Sequence, residues 1–256
     1  SGSKAKHKIS YTTVTVSKSD ISNSVTATGT IEPVTEVEVG TQVSGIIDKL
    51  YADYNSVVSK GQLIAEMDKV TLQSELASAQ ATYDGNKAEY EYQQKNYARS
   101  KVLFEKQLIS DSDYEEATYN YEKAKSTYEK SKADIVKVRR NLGYAVITSP
   151  IDGVVISREV EEGQTVAAGF ETPTLFTIAK DLTEMQVIAD VDEADIGEIR
   201  EGQRVTFTVD AYRNDAFEGV VTQVRLEATV ESNVVTYEVV ISAPNPDLKL
   251  KPGLTA

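Results

Sequence analysis

Two consecutive heptad repeats between residues 70 and 142 constrain the fold of this chain more than any other feature. In both repeats the core-type positions alternate in steps of four and three, so each heptad has two of them. One of the two is occupied by tyrosine in six heptads: Tyr83, Tyr90, Tyr97, Tyr114, Tyr121 and Tyr128. A period of 3.5 residues keeps one seam of a helix facing a partner helix along its whole length. Only residues 105–113 separate the repeats, and so short a connection makes the two helices antiparallel neighbours. The pattern predicts a coiled-coil hairpin.

The second core-type position of the heptads carries small or polar residues: Ala79, Asn86, Gln93, Ser100, Ala117 and Ala124. Large side chains that face small ones can interdigitate, and buried tyrosines can keep their hydroxyls at the wet edge. We therefore interpret the tyrosines as packing residues. Because the seam is polar and Gly85 costs about 1 kcal/mol relative to alanine, we expect an isolated hairpin to be marginally stable and to gain contacts from neighbouring hairpins.

Charge and composition exclude several classes of function. The net charge is −13, whereas residues 70–142 hold 12 basic and 12 acidic residues, so the acidic excess lies outside the hairpin. An acidic chain is not expected to bind nucleic acid, whose phosphates require a basic surface. The chain has no cysteine, its one histidine is His7 near the N-terminus, and it carries no phosphate-binding loop or nucleophile elbow. We expect no enzymatic activity, no cofactor and no metal site.

An internal repeat of about 30 residues flanks the hairpin. Its two copies have the same spacing of apolar and glycine residues: Gly45, Val58 and Gly61 before the hairpin, and Gly153, Val166 and Gly169 after it. Each copy ends in a short apolar strand. Neither half can bury its apolar face alone, so the halves are expected to pack face to face. The hairpin therefore interrupts one small β domain.

The C-terminal third has the pattern of a small antiparallel β-barrel. Strand-like runs occur at residues 185–191, 205–209, 217–224 and 234–242, and turn residues such as Asn214 and Asp215 separate them. An earlier strand, around residues 21–30, is expected to join this barrel because the chain enters and leaves the interrupted β domain on the same side.

The order of these parts, together with four short motifs, resembles a known family. The motifs are residues 39–45 (VGTQVSG), 149–155 (SPIDGVV), 162–166 (EGQTV) and 250–256 (LKPGLTA). They are similar to the periplasmic adaptor subunits, or HlyD-like membrane fusion proteins, of tripartite efflux pumps, and most similar to the macrolide-exporter type. The resemblance implies an elongated, multi-domain α+β fold in which an antiparallel coiled-coil α-hairpin is inserted in a lipoyl-like β-sandwich, beside a small antiparallel β-barrel.

The resemblance also gives domain boundaries. Residues 1–20 are expected to be an N-terminal lead and part of a membrane-proximal region. Residues 21–34 and 180–256 are assigned to the barrel, 35–69 and 143–179 to the lipoyl-like domain, and 70–142 to the hairpin.

The hairpin tip is the predicted docking site. Arg99, Leu103 and Ser110 have the Arg-x3-Leu-x6-Ser spacing, which is similar to the signature with which such adaptors bind an outer-membrane channel. Leu108 and Ile109 either pack the end of the hairpin or belong to the same contact. Ser110 has a second interpretation as the N-cap of the second helix, with Asp113 completing a capping box.

Further expectations follow from the resemblance alone. It implies an inner-membrane transporter, ABC or proton-driven, as one partner and an outer-membrane channel of the TolC type as the other. It also implies a homo-hexamer around a conduit. The loop at residues 168–172 is equivalent to one that lines this conduit, but it presents Phe170 and Glu171 where the family type has a glutamine. The chain is expected in the periplasm, anchored to the inner membrane by a segment before residue 1.

Three alternatives remain open. A metal-efflux adaptor or a type I secretion adaptor would have the same architecture. A lipoyl or biotinyl carrier domain would instead use Lys69, which follows the sequence Glu66-Met67-Asp68 in the way that a modified lysine does. That chemistry requires the lysine on an exposed tight turn, whereas here the heptad repeat begins at this point.

Overall fold

The computed structural model describes residues 23–256, in which the chain forms 13 β-strands and three α-helices. The strands are β1 (Thr28–Pro33), β2 (Glu36–Gly40), β3 (Gly45–Leu50), β4 (Val57–Val58), β5 (Leu63–Met67), β6 (Val146–Thr148), β7 (Gly153–Arg158), β8 (Thr165–Val166), β9 (Thr174–Ala179), β10 (Glu184–Asp192), β11 (Arg204–Val209), β12 (Tyr212–Glu231) and β13 (Val234–Pro244). The helices are α1 (Val70–Glu105), α2 (Asp111–Tyr144) and α3 (Glu193–Ile196). The predicted lead at residues 1–20, with His7, and the start of the early strand at residue 21 lie outside the described residues.

Two four-stranded sheets form a β-sandwich in which the two sequence repeats exchange strands. One sheet has the order β2-β9-β7-β4 and the other the order β6-β5-β3-β8. Each sheet therefore combines two strands from before the hairpin with two from after it. The facing apolar side chains form one core, which includes the fully buried Ile47, Ile64, Phe176 and Ile178. The predicted lipoyl-like β-sandwich, with the hairpin inserted between its halves, is confirmed.

Gly153 illustrates why the repeat requires glycine at the start of a strand. A Cβ atom at this position would lie 2.2 Å from the backbone oxygen of Ala179 on β9, which is far inside van der Waals contact. At Gly45, the matching position of the first repeat, the nearest atom to such a Cβ is the Met67 Cε at 3.1 Å. The terminal methyl group of a methionine can move aside, so glycine is strictly required only in the second copy, at Gly153.

The C-terminal β unit is a five-stranded antiparallel sheet with the order β1-β10-β13-β12-β11. β1, from before the hairpin, pairs with β10 along its whole length. On the other edge of β1, Gly29 and Ala256 exchange two backbone hydrogen bonds of 2.9 Å, and the Asp210 N–H, next to β11, donates to the Thr255 carbonyl at 3.4 Å. The C-terminal residues thus connect the two edges of the sheet, as expected for the predicted small antiparallel barrel. The domain boundaries given above stay predictions.

One turn predicted within the barrel is wrong. Asn214 and Asp215 lie inside β12, and the chain reverses at residues 210–211, so that Val209 pairs with Tyr212. The register between β11 and β12 shifts just after this pair, so the two polar residues lie in a bulge of β12. A bulge accommodates the same polar, turn-forming side chains as a loop because it also leaves a residue outside the ladder.

The two long helices form the predicted antiparallel hairpin, and stacked aromatic rings occupy its seam. Consecutive ring centroids are 4.4–6.0 Å apart in the order Tyr83, Tyr128, Tyr90, Tyr121, Tyr97, Tyr114 and Phe104. We call these seven rings the aromatic ladder. Small residues fill the space beside it, and Ala117, Ala124 and Ser131 of α2 are buried. The tyrosines are therefore packing residues, as predicted. None of the helices within residues 23–256 is both long and apolar enough to cross a membrane.

Candidate docking site at the hairpin tip

The first helix of the hairpin ends in a compact backbone motif. The Leu108 N–H donates to the Leu103 carbonyl at 2.9 Å, and the Gln107 N–H donates to the Phe104 carbonyl at 2.9 Å. Gln107 has φ 59°, in the left-handed region. These are the two hydrogen bonds of a Schellman motif, in which the residues at the Leu103 and Leu108 positions frequently make an apolar contact. Leu103 and Leu108 thus occupy two positions that a backbone hydrogen bond joins, which the sequence analysis missed.

The second helix begins with the predicted capping box. The Asp113 N–H donates to Ser110 Oγ at 3.1 Å, and the Ser110 N–H donates to the Asp113 carboxylate at 3.3 Å. Asp111 and Asp113 also place negative charge at the positive end of the helix dipole. The interpretation of Ser110 as an N-cap is confirmed, so its hydroxyl oxygen already accepts a hydrogen bond within the hairpin.

The fold brings the five predicted docking residues to one end of the hairpin. Arg99 and Leu103 are one helical turn apart on the same face, and Leu108, Ile109 and Ser110 follow directly after the Schellman motif. Leu103 and Ile109 are half-buried, whereas 67% of Leu108 is exposed. Arg99 is exposed and makes no ion pair within residues 23–256. Of the five predicted docking residues, Arg99 and Leu108 therefore have the most side-chain surface left for a partner.

The predicted conduit residues lie elsewhere, in the sandwich. Phe170 and Glu171 are in the loop between β8 and β9, and both side chains are exposed, that of Phe170 completely. The loop is attached at its start, where the Ala168 N–H donates to Ser44 Oγ at 3.0 Å. At 1.5 Å per residue, α1 separates this loop from the tip by about 50 Å. The structure thus holds two separate candidate surfaces.

Lys69 is not placed as a carrier lysine. It is the N-cap residue of α1, and its Nζ donates to Glu66 Oε1 at 3.0 Å. Glu66 also accepts a hydrogen bond from Tyr51 Oη at 3.1 Å, and the bond from Lys69 is the largest of the effects that lower the pKa of Glu66. Because the amine is paired at the foot of a helix instead of projecting from a tight turn, the structure does not favour the carrier alternative.

Arg158 ties the two halves of the sandwich together, and the sequence analysis missed it. Its side chain is only 14% exposed, and it donates to Asp53 Oδ1 at 2.9 Å and to the Val160 carbonyl at 2.6 Å. It also pairs with Glu161 at 2.8 Å and lies 5.6 Å from the centre of the Tyr54 ring. Asp53 and Tyr54 belong to the first repeat and Arg158 to the second. No spacing rule connects residues 105 positions apart, so the sequence offered no signal for this contact.

The described residues offer little for a metal or a cofactor. Within residues 23–256 no three His, Asp or Glu side chains are grouped so that they could hold a metal ion. An apolar cavity of about 260 Å³ lies inside the barrel, where its lining includes Val187, Val205, Phe207, Val239 and Ile241. This lining is the barrel core itself and brings no charged side chain into the cavity.

A coiled-coil hairpin that rises from a two-repeat β-sandwich, followed by a small barrel, is the architecture of the membrane fusion proteins. Two family models match the chain: the barrel-sandwich hybrid domain of RND membrane fusion proteins over residues 35–178, and the CusB-like beta-barrel domain over residues 187–256.

Individual relatives agree with these family matches. The chain is 32% identical to the macrolide export protein MacA of Yersinia pestis, over 97% of this chain and 70% of that protein. It is 36% identical to the pyoverdine export membrane fusion protein PvdR of Pseudomonas putida, over 95% and 70%. The crystal structure of MacA from Actinobacillus actinomycetemcomitans is 34% identical and superposes with a TM-score of 0.68, over 90% of this chain and 75% of that one.

The chain belongs to the RND-type membrane fusion protein family, and the family predicted from the sequence motifs is confirmed. It is therefore a membrane fusion, or adaptor, protein of an efflux system.

Proposed function

We propose that this chain is a periplasmic adaptor that connects an inner-membrane transporter to an outer-membrane channel, and that the hairpin tip docks onto the channel. The observation that carries the proposal is a rigid tip with two side chains left unused, Arg99 and Leu108. The chain contributes a connection between its partners and no chemical step of its own.

The hairpin has the form of a spacer. α1 has 36 residues, which corresponds to about 54 Å at 1.5 Å per residue. The aromatic ladder packs the two helices against each other, so the hairpin does not need the rest of the chain to fill its seam. Such a rod can carry its tip far from the sandwich, which is what a link between two membranes requires.

The tip is prepared for binding. One end of the turn is held by the backbone hydrogen bonds of the Schellman motif and the other by the Ser110–Asp113 capping box, so little conformational entropy would be lost when the tip binds a partner. Leu108 offers an exposed apolar contact within this fixed backbone. Arg99 offers up to five N–H donors, a geometry suited to carbonyl and carboxylate oxygens. The helical tips of a channel, with their unpaired carbonyl groups, present suitable acceptors.

The proposed assembly has further parts. Six copies would surround a conduit, and the exposed loop at residues 168–172 would face it, with Phe170 and Glu171 in place of the glutamine ring. The barrel end would contact the transporter, ABC or proton-driven, and a segment before residue 1 would anchor the chain to the inner membrane. The relatives are named for different exported compounds, so the proposal is limited to export and includes no substrate.

Binding of the whole chain to the purified outer-membrane channel of the same organism tests the proposal. Arg99→Ala and Leu108→Ser should each weaken binding by about tenfold or more, as expected when a central interface contact is lost. Lys101→Ala is the matched control, because Lys101 is an exposed cation on the same helix but at a different angle. If Arg99→Ala and Leu108→Ser bound the channel as tightly as Lys101→Ala and the unmodified chain, the docking site would be refuted.

Ser110 needs a separate pair of variants because its hydroxyl caps α2. Ser110→Asn keeps an acceptor for the Asp113 N–H, whereas Ser110→Ala removes it. If Ser110 also contacts the channel, both variants should bind more weakly although only Ser110→Ala destabilises the helix. If Ser110→Asn binds normally, the serine acts only as a cap.

A further inference from the structure

Two pairs of tyrosines in the aromatic ladder have hydroxyl oxygens within hydrogen-bond distance of each other. Tyr83 Oη and Tyr128 Oη are 3.3 Å apart, and Tyr97 Oη and Tyr114 Oη are also 3.3 Å apart. Each pair joins α1 to α2. The ring centroids are 5.5 Å apart in the first pair and 6.0 Å in the second.

The neighbouring ring contacts have a different geometry. Tyr97 and Tyr121 stack with their centroids 4.9 Å apart and with an angle of 8° between planes, and Tyr90 and Tyr128 stack at 5.1 Å and 9°. Neither of these stacks has a hydroxyl–hydroxyl hydrogen bond. Tyr90 and Tyr121 lie between these two cases: their centroids are 5.9 Å apart at 22°, and the hydrogen bond with Tyr90 is the largest of the effects that raise the pKa of Tyr121. The ladder therefore contains close, nearly parallel stacks and pairs whose phenol ends meet, and the hydroxyls are closest at Tyr83–Tyr128 and Tyr97–Tyr114.

We propose that the pairs Tyr83–Tyr128 and Tyr97–Tyr114 are sites of oxidative cross-linking, at which a one-electron oxidant of the haem-peroxidase class, using hydrogen peroxide, joins α1 covalently to α2. The inference does not depend on the adaptor function, since it rests on the hairpin alone.

The chemistry balances within the pair and the oxidant. Each phenol loses one electron and its hydroxyl proton and becomes a phenoxyl radical. The two radicals couple through ring carbons ortho to oxygen, and each ortho hydrogen then moves as a proton to the oxygen beside it, which restores two phenols joined by one carbon–carbon bond. The two electrons and two protons reduce one hydrogen peroxide to two waters.

Geometry selects these two pairs over the stacked ones. The ortho carbons are next to the carbon that bears the hydroxyl, so a contact between hydroxyls brings ortho carbons of both rings to the same place. In the close stacks of Tyr97 with Tyr121 and of Tyr90 with Tyr128 the hydroxyls do not meet, so coupling through the ortho carbons would require a larger ring movement.

The ladder also provides a route for the radical. Its rings follow one another at 4.4–6.0 Å, so an electron vacancy created on one tyrosine can pass to the next. A vacancy that reaches either pair meets a coupling partner, and the released protons pass to water.

Cross-linking would fix the hairpin. The bonds would join residues 45 and 17 positions apart, and a covalent tie across such loops restricts the unfolded chain more than the folded one. A cross-linked hairpin should unfold at a higher temperature than the untreated one.

Treatment of the whole chain with a haem peroxidase and hydrogen peroxide, followed by peptide mass spectrometry, tests the proposal. Linked peptides containing Tyr83 with Tyr128 and Tyr97 with Tyr114, two hydrogens lighter than their sum, should dominate in the monomer fraction. Tyr83→Phe keeps the ring but removes its hydroxyl, and should abolish the first product while leaving the second.

Two exposed tyrosines outside the ladder supply the control. Tyr92 and Tyr119 are each 63% exposed, so simple accessibility would favour links between molecules through them. Tyr119→Phe should leave both predicted products unchanged. Links mainly between molecules through Tyr92 or Tyr119, or mainly between Tyr97 and Tyr121 within one molecule, would overturn the proposal.

Discussion

Ser110 and Asp113 satisfy each other's backbone at the start of α2: the Ser110 hydroxyl accepts the Asp113 N–H at 3.1 Å, and the Asp113 carboxylate accepts the Ser110 N–H at 3.3 Å. Together with the Schellman motif at the end of α1, this closes the hairpin tip without help from any partner. The tip is thus a preformed surface, and its stability and its binding can be altered by different substitutions.

Ser110→Ala should destabilise the tip by about 1 kcal/mol, the usual cost of losing an N-cap. Ser110→Asn should cost only a few tenths of that, because asparagine is an equally good cap. Amide hydrogen exchange at residues 111–114 measures this locally. We expect exchange to be faster in Ser110→Ala than in the unmodified chain, and unchanged in Ser110→Asn. Exchange in Ser110→Ala at the rate of the unmodified chain would mean that the cap contributes little.

Two glycine substitutions should act in opposite directions. Gly85 lies within α1 with no atom near the place of a new Cβ, so Gly85→Ala should stabilise the hairpin by up to about 1 kcal/mol. At Gly153 the new Cβ would overlap the Ala179 oxygen at 2.2 Å, and such overpacking costs about 1–3 kcal/mol. Chemical denaturation followed by circular dichroism compares the two; a stable Gly153→Ala would show that β7 and β9 can move apart freely.

Arg158→Met should lower the melting temperature of the sandwich, because it removes the contacts of the guanidinium with Asp53, the Val160 carbonyl, Glu161 and the Tyr54 ring. It also leaves Asp53 and Glu161 without their cation. Arg213→Met is the control: Arg213 is 80% exposed and its pair with Asp210 spans 3.9 Å, so solvent already screens it. Thermal unfolding of both variants measures the difference. Equal melting temperatures would show that Arg158 adds nothing measurable to the strand pairing and apolar packing that join the two repeats.

Ionisation of Tyr128 should open the aromatic ladder at high pH. The hydrogen bond with Tyr83, followed by burial, raises the pKa of Tyr128 from 10 to about 12. The folded chain therefore holds this proton more tightly than the unfolded chain, so its contribution to stability is complete below pH 10 and is lost as the pH rises towards 12.

Tyrosinate absorbance and helix circular dichroism, recorded together against pH, measure this effect. In Tyr83→Phe the pKa of Tyr128 should move back towards 10, since its main cause is gone. An unchanged titration curve in Tyr83→Phe would show that the hydrogen bond with Tyr83 is not what raises the pKa of Tyr128.

The hairpin was predictable from the sequence because its information is local. A 3.5-residue period, a short connection and the Ser110–Asp113 spacing each depend on residues close together in the chain. The repeat around Gly45 and Gly153 likewise predicted a two-part sandwich. It could not show that the halves exchange strands, since β4 and β8 are only two residues long and their pairing depends on the opposite half.

The features that the sequence analysis missed depend on distant or unusual conformations. Arg158 and Asp53 meet only after the two repeats have packed. Gln107 adopts a left-handed conformation usually taken by glycine, so the composition did not mark the end of α1. Asn214 and Asp215 are residue types common in turns but lie in a bulge. The pairing of β12 with β11, which the local sequence does not show, decides whether such residues form a turn or a bulge. The docking role of Arg99 and Leu108 stays a prediction.

Photo-cross-linking in cells tests the docking proposal most directly. A photoreactive amino acid placed at Leu108, on the tip, is compared with one at Val136, which is 56% exposed on α2 far from the tip. The account predicts a covalent adduct with the outer-membrane channel from position 108 and none with the channel from position 136. Two results would contradict the docking proposal. One is a channel adduct from position 136 but not from position 108; the other is the absence of an adduct from both positions in a strain that exports normally.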